Sequence, residues 1–437
     1  MKNNILILML LTLLVSSCTN QRKNTTEQKE TPNIVFIISD DQSWTDYGFM
    51  GNENIETPRI DQLASESLTF ARGYVPTSLC SPSLASMITG LYPKNHGILG
   101  NDVVYDRAKN RDEAKKNRAE KYKPMISHFE KLTTLPDLLK QKGYLSFQTG
   151  KWWHGNYKVG GFDYGMTHGD PNRGGRHGDY GLEIGRKGLD TINSFVDLAV
   201  EQKKPFFLWY APFLPHTPHT PPQELLDKYM KKTSSEYVAK YWAMCEWFDQ
   251  TCGELMDMVE DKGLTENTLF VYVCDNGWVQ NPDKGTYMEN SKRAPYDLGM
   301  RTPIMYKWKG KITPKMDTES VVSSVDMLPT ILDVLGIEKP ENLPGINILD
   351  EEKVKKRDVI FGEIYAHDFE TIENSLYYNI AIASPYKLIV PDAERKQDEA
   401  VQLFNIEEDP FEKNNIAEAN PKIVAQLKEK IAIFRVD

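Results

Sequence analysis

The sequence predicts an α/β protein: a large mixed, mostly parallel sheet sandwiched by helices, followed by a smaller C-terminal α+β subdomain of short antiparallel strands and a helix. Three observations carry this expectation. Short apolar runs alternate with helical segments as far as residue 335, which is the pattern of a parallel sheet with crossover helices. Polar, chemistry-bearing residues recur just past the ends of those runs. After residue 335 the character changes: Gly336, Pro340, Pro344 and Gly345 mark a connection into short strands. At 437 residues the chain can bury a large core. We place a leader at 1–18, a tether at 19–31, a main domain at 32–335 and the subdomain at 336–437.

The elements follow in order. Residues 32–39 are a continuous apolar run closed by Asp40 and Asp41, as in a strand buried on both faces. Residues 68–75 read as a second strand leading to Cys80-Ser81-Pro82 and an apolar run. Pro is favoured at the first helical position and Ser before it is a good N-cap, so a helix opening at Pro82 is expected. Cys80 then lies at the positive end of the helix dipole, where an anionic substrate or an ionised nucleophile is favoured. A helix at 135–142 turns through Gly143 into a strand at 145–149, which ends at Lys151-Trp152-Trp153-His154. A helix at 189–201 precedes a strand at 206–211 running into Pro215-His216. The long helix at 237–262 precedes a strand at 269–274 that ends at Asp275-Asn276-Gly277. A further helix is expected over 321–335. The subdomain should hold strands at 380–383, 386–390 and 401–404, and an amphipathic helix from Pro421.

In open α/β sheets, sites form outside the carboxyl ends of the strands. Five segments thus bring Asp, Cys, Lys, His and Asn to one sheet edge. Asp40, Asp41, Asp275 and Asn276 form an all-oxygen set suited to a hard divalent cation, Ca²⁺ before Mg²⁺. The set fits zinc poorly, because no His or Cys cluster has zinc spacing. Taken alone, Asp40-Asp41 also reads as a simple turn.

The net charge of −10 attracts no polyanion, so an anionic substrate needs a local basic pocket. No basic, aromatic-laced stripe points to nucleic acid. Lys2 precedes an apolar run at 5–15 that is too short to span a bilayer, as in an export signal. Val15-Ser16-Ser17-Cys18 resembles the lipobox of bacterial lipoproteins, which implies a lipid anchor on Cys18 and a place in the periplasm or outer membrane. A plain secretory signal is the alternative. Export implies an oxidising compartment. Cys245 and Cys252, seven apart on one expected helix, are separated by roughly 10 Å of rise, so no structural disulfide is expected. The glycine-rich stretch 168–179 reads equally as a ligand loop or a surface loop. Residues 107–123 read as a solvated helix face, and Tyr241, Trp242, Trp247 and Phe248 as core.

Cys80-Ser81-Pro82-Ser83-Leu84, followed by Thr89-Gly90-Leu91-Tyr92-Pro93, resembles the Cys-x-Pro-x-Arg and Thr-Gly-x-Tyr-Pro signature of the type I sulfatases, within the alkaline-phosphatase-like superfamily. The family Arg is Leu84 here. Further matches are Gly150-Lys151-Trp152-Trp153-His154, whose His is displaced by one residue from the family's Gly-Lys-Trp-His, and Pro215-His216-Thr217-Pro218. The stretch from Lys292 to Pro303 follows the family's Lys-x-x-x-Tyr-Glu-Gly-Gly-x-Arg-x-Pro with Asp297 and Leu298 at two positions. Leu403-Phe404-Asn405-Ile406 and Asp409-Pro410-Phe411-Glu412 match the family's C-terminal piece.

The resemblance implies a sulfuric ester hydrolase. Cys80 would be oxidised by a maturing enzyme to formylglycine, whose hydrated aldehyde attacks sulfur. The cation would sit on Asp40, Asp41, Asp275 and Asn276 and touch residue 80. Lys151 and Lys292 would hold the sulfate oxygens, His216 with Lys292 would protonate the leaving alcohol, and His154 would help expel sulfate. A sulfated carbohydrate is the expected substrate. The alternatives are a glycan-binding pseudoenzyme with unmodified Cys80, and a phosphatase or phosphodiesterase of the same superfamily.

Overall fold

The computed structural model describes residues 31–107, 110–169 and 181–436. The leader, the Cys18 lipobox and the stretch 170–179 lie outside the described residues. Strand β1 (Asn33–Ser39) is buried at every position, and its alternate side chains enter different cores. Ile34, Phe36 and Ile38 pack on one face of the sheet, Val35 and Ile37 on the other. That two-sided burial is what an unbroken apolar run requires.

Around β1 the main sheet assembles from β2 (Leu68–Tyr74), β4 (Leu145–Gly150), β5 (Tyr164–Gly165), β6 (Phe206–Ala211), β7 (Thr268–Cys274), β8 (Arg301–Lys307) and β9 (Lys315–Ser323). A two-residue strand β3 (Asp102–Val103) lies outside it. The order is β5-β4-β6-β1-β7-β8-β2-β9. All neighbours are parallel except β8, which is antiparallel to both β7 and β2. The carboxyl ends of β1, β2, β4, β6 and β7 therefore share one edge, and the amino end of β8 joins them there.

The C-terminal sheet is antiparallel, in the order β10 (Ile360–Tyr365), β12 (Leu376–Ala383), β13 (Tyr386–Pro391), β14 (Gln402–Asn405). Ile364, Ile380 and Ile382 on one of its faces pack with Tyr74 and Met300 of the main domain. Ala381, Leu388 and Leu403 on the other pack with Leu427 and Ile431 of the closing helix Pro421–Val436. A short strand β11 (Asp368–Phe369) pairs with β3 and ties the subdomain to the main domain. Below this packing Lys387 is fully buried, 2.8 Å from both Asp297 and Glu412.

Three expectations are corrected. The segment 321–335 is not one helix: Val321 and Val322 pair with Arg72 and Gly73 as the end of β9. The helix Met327–Leu335 follows a short 3-10 turn, and Ser323 and Asp326 form a capping box at the junction. Strand pairing outcompetes the helical reading because β2 offers an open edge. The helix expected to open at Pro82 opens at Cys80 instead, and runs Cys80–Thr89 with every residue buried. Ser81 does not cap it; its N–H donates to Asn101 Oδ1 at 2.8 Å. The 107–123 segment is only partly a solvated face, since Arg118 and Tyr122 both reach Asp102.

Candidate active site

The site gathers at the shared sheet edge. Past β1, Asp41 adopts φ +65, an uncommon left-handed turn for a non-glycine. Its N–H donates to Asp275 Oδ1 at 3.1 Å, which ties the ends of β1 and β7. Gly150, also at positive φ, turns β4 into Lys151; a Cβ there would lie 1.9 Å from the Ala211 carbonyl oxygen, so only glycine fits. Cys80 sits in the first turn of its helix, with the positive end of the dipole toward the site.

Two lysines organise the carboxylates. Lys151 Nζ donates to Asp40 Oδ1 at 2.5 Å and to Asp275 Oδ2 at 3.1 Å. Lys292 Nζ lies 2.5 and 2.7 Å from the two Asp41 oxygens and 3.2 Å from Cys80 Sγ. Asn276 Nδ2 donates to Asp41 Oδ1 at 2.7 Å. His216 Nε2 lies 3.4 Å from Asp41 Oδ2, and its Nδ1 donates to the Thr217 carbonyl at 2.5 Å. Asp40, Asp41, Asp275, Asn276, Cys80, Lys151, Lys292 and His216 are thus brought together.

The electrostatics are those of a dry, charge-dense pocket. Burial alone would lower the Lys151 pKa, but Asp275 and Asp40 drive it well above its usual value. Burial would raise Asp41, yet Lys292, His216 and Lys151 together hold it below the carboxylate range. Burial pushes the Cys80 thiol up to about 12 against the pull of both lysines, so the unmodified thiol is a poor nucleophile at neutral pH. Burial also drives His216 well below its usual value.

The arrangement fits a hard cation. Asp40 Oδ2 and Asn276 Oδ1 are buried acceptors with no hydrogen-bond partner among the described residues. Such orphans ask for an explanation, and an ion is one. Asp40, Asp41, Cys80 and His216 can each place one donor atom within 4.8 Å of the others. Asp275 is outside this group; its two oxygens accept from the Asp41 N–H and from Lys151.

Two positions depart. Leu84, one turn along the helix from Cys80, is fully buried in the apolar core beneath it. His154 is fully buried too, stacked on Phe129 at 4.1 Å, and neither ring nitrogen has a hydrogen-bond partner among the described residues. Sequence reasoning missed His219. Its Nε2 is buried without a partner among the described residues, and its ring lies 5.4 Å from Tyr241 and 5.9 Å from Trp278. The repeated Pro-His, Pro215-His216 and Pro218-His219, was the available signal. It also missed Arg186, which donates to the Phe213 carbonyl at 2.9 Å and so braces the His216 loop.

Comparison with known proteins settles the family. The profile described as Sulfatase matches residues 32–337. The chain belongs to the sulfatase family. A second profile, N-sulphoglucosamine sulphohydrolase, C-terminal, matches residues 285–437 of this sulfatase. It is 24% identical over 440 residues to an ulvan-active sulfatase of Formosa agariphila, covering 92% of this chain and 78% of that one. It is 23% identical over 526 residues to an N-acetylgalactosamine-6-O-sulfatase of Bacteroides thetaiotaomicron, covering 95% and 96%. Its fold matches the solved structure of Ps i-CgsB in complex with k-i-k-neocarrahexaose with a TM-score of 0.72, at 23% identity and 93% coverage of each chain.

Proposed function

We propose that this sulfatase removes sulfate from a sulfated glycan, with Cys80 matured to formylglycine and Ca²⁺ held by Asp40, Asp41, Asp275 and Asn276. The observation that carries the reading is the pairing of Cys80 Sγ with Lys292 Nζ at 3.2 Å, beside two orphaned oxygen acceptors. Relatives named for ulvan and N-acetylgalactosamine-6-sulfate support the substrate class. When bound, the ion would supply positive charge for sulfate oxygens, and the hydrated aldehyde would supply a hydroxyl nucleophile.

The chain's own residues do the rest. Lys151 and Lys292 are held protonated by their carboxylates and present two cations to the equatorial sulfate oxygens. Lys292 also keeps a proton beside residue 80. His216 keeps its Nδ1 proton on the Thr217 carbonyl, which leaves Nε2 facing the pocket. A dianionic transition state would favour the imidazolium there, and His216 would then protonate the leaving alcohol. His154, packed against Phe129, is not seated for the family role of proton acceptor, which falls to water or another group.

The test is the mass of the Cys80 peptide from protein made with an anaerobic-type sulfatase maturase. An aldehyde at Cys80, with sulfate released from sulfated sugars, is expected. An intact thiol, while a control sulfatase is converted, would move the assignment to a glycan-binding pseudoenzyme. Leu84 is the observation that favours that second reading. Activity lost to EDTA should return with Ca²⁺ more fully than with Mg²⁺. We further propose that Cys18 is lipidated and anchors the protein in the periplasm or outer membrane; Cys18→Ala should abolish incorporation of labelled palmitate.

A further inference from the structure

Two routes lead outward from Cys80 toward the rim. Along the first, Lys292, which touches the Cys80 sulfur, is followed by Arg293, whose N–H donates to the Ser78 carbonyl at 2.9 Å. Along the second, the Ser81 N–H is held by Asn101, and the next residue, Asp102, takes a backbone hydrogen bond from its own N–H to the His367 carbonyl at 3.0 Å. His367 belongs to the C-terminal subdomain, one residue before β11. The His367 ring turns to its neighbour, with Nδ1 2.6 Å from Asp368 Oδ1.

Arg293 is unusual in two ways. Its φ is +68, a left-handed conformation that costs a non-glycine residue stability and persists where something else requires it. Its side chain is exposed, and its guanidinium has no hydrogen-bond or ion-pair partner among the described residues. The neighbouring cations of this rim are already spent: Arg107 pairs with Asp368, and Arg118 with Asp102. Arg293 is left as the open fork, one residue from a lysine at the reaction centre.

We infer that Arg293 forms a specificity subsite that grips a second anionic group of the glycan, a carboxylate or another sulfate, next to the sulfate being removed. The inference rests on the glycan-sulfatase reading. A guanidinium fork recognises either group through two parallel hydrogen bonds. A glycan carrying a second anion would thereby be favoured over a singly charged one, although the net charge of the protein is negative.

Binding, not turnover, tests it, so that a failure of maturation cannot be mistaken for a failure of the subsite. In a Cys80→Ala background, calorimetric titration compares three probes: N-acetylgalactosamine-6-sulfate, an unsaturated chondroitin-6-sulfate disaccharide with a uronate carboxylate, and D-glucosamine-2-N,6-O-disulfate. At least one doubly charged probe should bind more tightly than the first, and which one does so identifies carboxylate or sulfate as the partner. Adding Arg293→Ala should weaken that probe about tenfold and the singly charged one by much less, and Arg293→Lys should recover part of the loss. Arg293→Gly should weaken binding equally while leaving the melting temperature unchanged or raised, because glycine relieves the backbone. Equal effects on all three probes, no doubly charged probe favoured, or a lowered melting temperature with binding intact would each overturn the subsite.

Discussion

Cys80 is the residue on which the proposed chemistry turns. Its thiol is buried, pushed up in pKa, and bracketed by Lys292 and Asp41. Cys80→Ala and Asp275→Asn should each lower sulfate release at least about a hundredfold, since each removes a preorganised group at the reacting centre. Circular dichroism and thermal melts should show both variants folded; substantial turnover by either would remove that residue from the mechanism. Leu84 makes a separate argument. Its side chain is sealed in the core under the helix, so the charge of the family arginine is missing from the pocket. Leu84→Arg should raise the formylglycine fraction at Cys80 if the leucine handicaps maturation, as read by peptide mass. An unchanged fraction would mean that the two lysines and the proposed ion already suffice.

Among the elements, the loop between β7 and β8 depends on the subdomain for its position. Asp297, five residues after Lys292, accepts from Tyr74 Oη at 3.0 Å and pairs with buried Lys387, which also serves Glu412. Lys387→Met would leave two buried carboxylates without their shared cation, at a cost of about 3–5 kcal/mol. Denaturant unfolding should show that loss, and kcat should fall because the Lys292 loop loosens; an unaltered midpoint would show that the network is neutral. The extra tryptophan in Lys151-Trp152-Trp153-His154 acts at the same scale. With that added residue the histidine ring lies stacked on Phe129, where burial pushes its pKa down to about 3.

For the molecule as a whole, buried neutral histidines are one source of acid sensitivity. Burial lowers His96 and His154 each to about 3. Unfolded, each would titrate near 6.5. The stability they contribute is fully present above about pH 6.5 and is lost as the pH falls from there toward 3, because only the unfolded chain takes up the protons. Between pH 7.5 and pH 5 each costs about 2 kcal/mol. His154→Leu should therefore lose about 2 kcal/mol less than the native chain over that interval in urea titrations. An identical pH dependence would show that His154 is protonated in the folded state.

How much was legible follows from which forces are local. The sequence alone determined the alternating α/β architecture, the strand ends carrying Asp40-Asp41, Lys151, His216 and Asp275-Asn276, and the Cys80 helix, because apolar periodicity and turn residues are written along the chain. Its readings of β6 and of the long helix, Glu236–Asp261 in the structure, were right or nearly so because each has a single dominant periodicity. Tertiary structure decided the rest. Residues 321–323 became strand because β2 had an edge to fill, and β8 ran antiparallel, which brought Lys292 to the same edge as strands running the other way. His154 left the site because core packing took its ring. Asp102 and Asp368, 266 positions apart, are neighbours only because β3 pairs with β11. Pairing partners, loop direction and the surroundings of a charge are long-range properties, and no window of sequence contains them.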